Sequence, residues 1–180
     1  MRISATALAA VLLVACGPAL AGEDTDFGIA PTRELRLGDY SAPTPREVPG
    51  ARIIRTSELK ALMQRDIPAR PVLVDVVGSE GHDSIPGAVW LPGVGRGSGF
   101  DDTVQERLGG ALEALTARSK ARPVVFFCAG VDCWLSYNAS LRAVALGYSA
   151  VYWYRGGIEA WLDAGGDLQP MRVTWGTPVK

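Results

Sequence analysis

The sequence is poor in cysteine and histidine, and its charges nearly balance. It has three cysteines and one histidine among 180 residues, and one of those cysteines lies in the apolar N-terminal segment. The other two are too few for a disulfide scaffold, and with a single histidine they fall short of a four-ligand zinc site. We therefore expect no metal and no cofactor. The net charge is −1 and no basic run is present, so charge gives no reason to expect a nucleic-acid partner.

The first residues have the pattern of an export signal. Arg2 precedes an uncharged apolar stretch, residues 3–15, which is too short to span a bilayer comfortably. Residues 19–21, Ala-Leu-Ala, form a small-x-small cleavage site of the kind that ends secretory signals. We predict that residues 1–21 are a signal peptide cleaved after Ala21 and that the mature protein is periplasmic.

A second route of processing stays open. Residues 13–16, Leu-Val-Ala-Cys, resemble a bacterial lipobox, in which Cys16 is lipidated and becomes the mature N-terminus. The protein would then be a lipoprotein anchored at Cys16. Only in that case do we expect the membrane as a partner.

The rest of the chain divides into three parts, as its length suits one domain with extensions. Residues 22–50 are rich in proline, glycine and threonine without any period, and we predict an irregular lead-in on the domain surface, with a disordered linker as the alternative. From residue 51 to residue 170, apolar runs such as 72–77 and 124–127 alternate with helical patterns. Such runs are typical of parallel strands buried on both faces. We predict a single α/β domain over 51–170, with a mostly parallel sheet and helices on both faces, and a tail over 171–180.

Capping signals place three of the helices. Thr56 is a predicted N-cap, and Asp102 is predicted to begin another helix, with Gln105 placed for a capping box. A further helix is predicted over residues 134–146. Gly147 then supplies the C′ position that ends it.

The segment between the strand at 124–127 and the next helix could carry chemistry, because ligands of open parallel sheets bind beyond the carboxyl ends of the strands. Its small residues allow the loop to curl with its amides inward, which would stabilise a thiolate or a persulfide anion and lower the pKa of Cys128. The candidate catalytic residues are Cys128 and Cys133. The candidate loop-binding residues are Ala129, Gly130, Val131, Asp132 and Trp134, and the supporting residues are Asp75, Ser136 and Asn138.

Several of these residues also have structural interpretations. Cys133 could bridge to Cys128, resolve an oxidised or persulfide form of it, or be inert; a bridge needs the two Cα atoms within about 7 Å. For Trp134 we favour packing against the loop over substrate contact. For Ser136 and Asn138 we favour a structural role, in capping the helix start or bonding the loop, over catalysis. His82 is predicted to be a surface residue, with a general base as the alternative.

Landmarks of one family occur in order along residues 50–170. They are Asp75, the Ile-Pro-Gly-Ala stretch at 85–88, the strand into Cys128 and the glycine-rich and aromatic positions of 147–161, and together they resemble a rhodanese domain. The resemblance implies that Cys128 accepts a sulfane sulfur as a persulfide and passes it to a thiophilic acceptor, which makes a small sulfur-containing or thiol compound the substrate. The loop lacks the arginine or lysine that thiosulfate-using members carry. It also has Trp134 where the related phosphatases need arginine.

A narrower resemblance rests on residues 133–139 and 152–154 and on the lead-in at 30–33 and 42–45. These are similar to the exported family called pyrroloquinoline quinone (PQQ)-dependent catabolism-associated, named for a CXXCW motif. That resemblance implies a periplasmic quinoprotein dehydrogenase or its cytochrome as a partner, and it leaves a non-catalytic accessory protein as the alternative to sulfur transfer or thiol redox. Here four residues separate the cysteines, against the two in the family name, which argues against a thioredoxin-like couple.

Overall fold

A computed structural model describes residues 22–79 and 81–171. The predicted signal peptide over 1–21, with Cys16, lies outside the described residues, and so does the tail from residue 172 onward. Within the described ranges, no helix has both the length and the apolar character that crossing a bilayer requires.

Parallel strands form the central sheet, in the order β1–β6–β5–β2–β4. Each neighbouring pair in that order is parallel, and β2 and β5 are buried along their whole length. A second, two-stranded sheet pairs β3 with β7 in antiparallel fashion. The strands are β1 (Arg52–Ile53), β2 (Val72–Asp75), β3 (Asp83–Ser84), β4 (Val89–Trp90), β5 (Val124–Phe127), β6 (Val151–Tyr154) and β7 (Gln169–Pro170).

Helices cover both faces of the central sheet, as predicted. They are α1 (Thr56–Met63), α2 (Thr103–Leu115), α3 (Trp134–Ala145) and α4 (Gly157–Asp163). Successive strand residues point to opposite faces, so Val124 and Phe126 join the core cluster with α2 and α3. Val125 and Phe127 join the other cluster, with α1 and α4. The predicted α/β architecture is confirmed.

The caps agree with the sequence in part. Asp102 caps α2 by accepting a hydrogen bond from the Gln105 amide at 2.8 Å. The Gln105 side chain does not return to Asp102, because it bonds Arg142 instead, so the capping-box prediction is wrong. The predicted cap Thr56 is the first helical residue, and its buried hydroxyl lies 2.7 Å from that of Tyr154.

Residues 22–50 have one β contact, an isolated antiparallel bridge between Ser41 and Cys133. They run along the outside of α3 and β6. Val48 of this segment is buried in a third apolar cluster with Trp134, Tyr137 and Trp153. The lead-in thus covers the part of the domain that holds the cysteines.

Candidate active site: a disulfide loop at the carboxyl edge of the sheet

Cys128 follows β5, the middle strand of the sheet, directly. Cys133 is the N-cap residue of α3. The two form a disulfide across a Cα–Cα distance of 6.1 Å, within the range that bridging requires. Of the roles that the sequence leaves open for Cys133, the structure shows the disulfide. We call residues 128–133 the cysteine loop.

Both cysteines are buried in this oxidised form. Cys128 is 4% and Cys133 9% exposed, and both belong to the apolar cluster beneath α2 and α3. Because its sulfur is bonded to that of Cys133, the Cys128 thiolate that the sequence predicts is absent from the oxidised protein. Cys128 can act as a nucleophile only after the bridge has been reduced.

The amides of the cysteine loop are largely unused. The Cys133 amide donates to the Gly130 carbonyl at 3.2 Å. Within the part of the chain that the structure describes, the amides of residues 129–132 donate to no protein acceptor. The loop therefore has four backbone donors without an acceptor among the described residues, and the direction of these amides stays a prediction. Gly130 does not have the positive φ that favours glycine over other residues. The space where its Cβ would lie is taken by the carboxylate of Glu159.

The first half of the loop is fixed by the start of α4. The carbonyls of Cys128 and Ala129 accept hydrogen bonds from the amides of Ile158 (3.0 Å) and Glu159 (2.9 Å). Gly157 makes this approach feasible. Its φ is +60°, and a Cβ there would collide with both carbonyls.

The second half of the loop is fixed by the lead-in. We call residues 40–44 the strap. They run antiparallel to residues 131–134 and form hydrogen bonds with both ends of that segment. The Trp134 indole adds a further bond, donated to the Pro43 carbonyl at 3.0 Å. The backbone bonds are Trp134 N to Tyr40 O (2.8 Å), Ala42 N to Asp132 O (2.8 Å) and Thr44 N to Val131 O (3.2 Å), beside the Ser41–Cys133 bridge.

The remaining candidates on α3 make structural contacts. Trp134 is 4% exposed and anchors the strap, as the packing interpretation predicts. Ser136 donates to the Cys133 carbonyl at 3.2 Å and accepts from the Trp153 indole at 2.9 Å. Asn138 accepts from the Arg36 amide and donates to its carbonyl. Both side chains tie α3 to its surroundings.

Asp75 ends β2 at the same sheet edge, in register with Phe127. One carboxylate oxygen accepts from the Val77 amide at 2.8 Å. The other accepts from the Ser84 hydroxyl and lies 2.9 Å from His82 Nε2. The His82 side chain is 15% exposed, so this histidine is partly at the surface while its ring contacts a buried carboxylate. His82 and Ser84 both contact the Asp75 carboxylate and not each other. In a nucleophilic triad the histidine lies between the serine and the carboxylate instead.

An acidic cavity of about 620 Å³ adjoins the loop. The loop contributes Val131 and Asp132, and α4 contributes Glu159 and Asp163. Burial, and then the charges of Asp132 and Asp163, raise the pKa of Glu159. Within the described residues, no lysine or arginine lines the cavity. The approach to the cysteine loop from this side therefore favours cations and disfavours anions.

Sequence reasoning missed two residues that hold this arrangement, Thr44 and Arg155. Arg155 follows β6 and is 2% exposed, and a charged residue straight after a buried strand is a signal that could have been read. Thr44 gives no such signal. It lies in the proline-rich lead-in, and its contact with Val131 spans 87 residues.

The sequence profile described as Rhodanese-like domain matches residues 55–164. Among solved structures, a complex of EanB with hercynine is 16% identical with a TM-score of 0.50, over 65% of this chain and 31% of that one. The thiosulfate sulfurtransferase from Pseudomonas aeruginosa is 23% identical over 66% of this chain and 20% of its own, with a TM-score of 0.46. The polysulfide-sulfur transferase homodimer from Wolinella succinogenes is 17% identical over 67% of this chain and 79% of its own, with a TM-score of 0.44. At these sequence identities the similarity shows the fold alone. No curated protein matched the chain.

Proposed function

Because the chain belongs to the rhodanese-like domain family, we propose that it transfers sulfane sulfur, or the equivalent pair of electrons, through Cys128, with Cys133 as the resolving thiol. The observation that carries this proposal is the Cys128–Cys133 disulfide at the carboxyl end of the central strand. Ligands of open parallel sheets bind at that edge. The disulfide is the resting, oxidised form of the site.

The chemistry starts from the reduced pair. The Cys128 thiolate attacks the terminal sulfur of a persulfide donor. A bond forms between these two sulfurs, the donor S–S bond breaks, and the donor leaves as a thiol that keeps the proton. The persulfide on Cys128 is anionic, and the free amides of residues 129–132 are the groups available to stabilise it.

Two fates follow for that persulfide. An external thiolate can remove the terminal sulfur, which regenerates the Cys128 thiolate. Alternatively, Cys133 attacks Sγ of Cys128 while its thiol proton passes to the terminal sulfur. The S–S bond of the persulfide breaks, hydrosulfide leaves and the Cys128–Cys133 disulfide closes. An external dithiol then reopens the pair by thiol–disulfide exchange and is itself oxidised to a disulfide. The short reach between the cysteines, 6.1 Å between Cα atoms, supports the second route.

The donor is proposed to be cationic or neutral. Asp132 and Glu159 flank the cavity beside the loop without a basic partner in its lining, so thiosulfate would meet repulsion. A matched pair of donors tests this: cysteamine persulfide carries an ammonium group and glutathione persulfide carries net negative charge. We expect sulfur transfer from the cysteamine donor to be faster by about tenfold at low salt and the difference to shrink as salt screens it. Faster transfer from glutathione persulfide would contradict the proposed donor class.

Mass spectrometry of the reduced protein after polysulfide treatment tests the role of each cysteine. In Cys133→Ser we expect the added sulfur to stay on Cys128, because no resolving thiol is present. In the wild type we expect the added sulfur to give way to the disulfide. Cys128→Ser is the matched control and should gain no sulfur at Cys133. An added sulfur on Cys133 alone, or no added sulfur on Cys128 in Cys133→Ser, would remove the basis of the proposal.

We also propose that the protein is exported, with residues 1–21 as a signal peptide cleaved after Ala21. Structural disulfides persist in oxidising compartments such as the periplasm, and the Cys128–Cys133 bridge supports that location. The intact mass of protein recovered from a bacterial expression host separates the two routes. A chain that starts at residue 22 supports cleavage after Ala21. A diacylated N-terminus at Cys16 supports the lipoprotein.

A second candidate is a non-catalytic accessory protein of a PQQ-dependent quinoprotein dehydrogenase or its cytochrome. The observation that favours it is the burial of both cysteines, as expected of a disulfide that only links the end of β5 to the start of α3. In that case Cys128→Ser should leave quinoprotein-dependent growth unchanged, and the protein should co-purify with the dehydrogenase. Loss of growth in Cys128→Ser, with the variant folded, would favour the chemical role.

A further inference from the structure

We propose that Arg155 and Thr44 are positioning residues that set the redox potential of the Cys128–Cys133 pair by holding the strap against the cysteine loop. This inference rests on the proposed thiol chemistry of the pair. Within the described residues, neither side chain hydrogen-bonds a sulfur atom. Both act through the Val131 carbonyl, which lies between the two cysteines in the chain.

Arg155 is a buried cation whose side chain hydrogen-bonds residues of the lead-in. Its side chain forms no salt bridge within the described residues, although buried charges are usually paired with an opposite charge. Its donors go to lead-in oxygens instead. Nη1 donates to the carbonyls of Glu23 (3.0 Å) and Thr25 (2.9 Å), Nη2 donates to the Thr44 carbonyl (3.0 Å), and Nε donates to Thr44 Oγ1 (3.0 Å).

This arrangement fixes the direction of the Thr44 hydroxyl. The Arg155 Nε–H can only donate, so Thr44 Oγ1 must accept from it. The single hydroxyl proton of Thr44 is then free to point at the Val131 carbonyl, 2.5 Å away. The Thr44 amide donates to the same carbonyl at 3.2 Å. Guanidinium, hydroxyl and loop carbonyl therefore form one continuous buried chain of hydrogen bonds.

The chain is placed to influence the disulfide. With the strap docked, the loop holds the cysteine Cα atoms 6.1 Å apart, a separation at which a disulfide forms without backbone movement. A loop fixed in that shape keeps the two reduced sulfurs close, which favours closure over reduction. By thermodynamic linkage, weakening the strap should make the disulfide easier to reduce, and reducing the disulfide should loosen the strap by the same factor.

Thr44→Val and Thr44→Ser test the inference. Valine keeps the shape but removes the hydroxyl, whereas serine keeps the hydroxyl. The protein is equilibrated with mixtures of reduced and oxidised dithiothreitol, and the disulfide fraction is read after thiol trapping. Two electrons and two protons pass to the cysteine sulfurs as the dithiol becomes a cyclic disulfide. We expect Thr44→Val to weaken the disulfide about tenfold, which is about 30 mV, and Thr44→Ser to stay within about twofold of the wild type.

Thr116→Val is the matched control. Thr116 is buried to the same degree as Thr44 and donates to a carbonyl, that of Leu112 at 2.7 Å, but it lies at the end of α2. We expect this variant to lose stability without changing the disulfide equilibrium. An unchanged equilibrium in Thr44→Val, or the same shift in Thr116→Val, would overturn the inference.

A second measurement uses only the wild type, so it stands even if a variant fails to fold. Hydrogen exchange of the Ala42 and Thr44 amides, which bond the loop carbonyls, is compared between oxidised and reduced protein. We expect exchange at least about tenfold faster after reduction, and equal rates would overturn the link. Both experiments omit a sulfur donor. Failure of sulfur transfer would therefore leave their outcome intact, and a negative outcome here would leave the sulfur-transfer experiment to be judged by itself.

Discussion

Replacing Gly157 with alanine perturbs the cysteine loop from the α4 side. The residue has a φ of +60°, and its missing Cβ leaves room for the carbonyls of Cys128 and Ala129. A left-handed backbone costs a non-glycine residue about 1–2 kcal/mol. Moving the carbonyls away would also weaken two hydrogen bonds, those from Ile158 and Glu159, each worth about 0.5–1.5 kcal/mol. We expect a total loss of about 2–5 kcal/mol in the free energy of unfolding.

Gly165→Ala separates the two contributions. Gly165 has a similar φ of +69°, but a Cβ there would have no neighbour within 4 Å, so it reports the backbone cost alone. Urea unfolding of both variants, with the disulfide intact, gives the difference. We expect Gly157→Ala to be the less stable of the two by at least about 1 kcal/mol. Equal losses in both variants would refute the claim that α4 clamps the loop through close backbone approach.

Two further predictions concern neighbouring contacts. Partial burial of Asp102 raises its pKa, but the hydrogen bonds from Arg142 and from backbone amides outweigh it, so the pKa of Asp102 lies below its usual range. Its stabilisation should be complete above about pH 4 and be lost as pH falls through the lowered pKa. Chemical unfolding measured from pH 7 downward should show that the wild type loses stability in acid through this group, whereas Asp102→Asn does not. Equal losses of stability in both proteins would contradict this. Trp134→Phe, which removes the indole bond to the Pro43 carbonyl, should cost about 1 kcal/mol in unfolding and speed hydrogen exchange of the Ala42 amide, and unchanged exchange would show that the indole does not hold the strap.

The fold was predictable because its strands carry an unusual signal. Residues 72–75 and 124–127 are apolar at every position except Asp75. Such unbroken apolar runs are typical of strands buried on both faces, and both strands are fully buried. The helix ends were less predictable where tertiary contacts compete with local ones. Gln105 leaves its capping position because the buried Arg142 guanidinium offers it a stronger partner.

The location of the site could be predicted from the sequence, but whether its two cysteines form a disulfide could not. The chain order of strand, short loop and helix puts Cys128 at the sheet edge. The loop length alone did not decide between an open loop and a bridge, since the outcome depends on the contacts that curl it. Those contacts come from the strap and from α4. The bond between Arg155 and Thr44 spans 111 residues, and no local pattern encodes a contact of that kind.

The most direct test of sulfur transfer through Cys128 is a single-turnover measurement of hydrosulfide release. Reduced, reductant-free protein receives one equivalent of cysteamine persulfide, and released hydrosulfide and remaining thiols are counted together. We expect about one hydrosulfide released and two protein thiols lost per chain for the wild type, because the reaction closes the Cys128–Cys133 disulfide. We expect no release from Cys133→Ser. Hydrosulfide release from Cys128→Ser at the wild-type rate would contradict it.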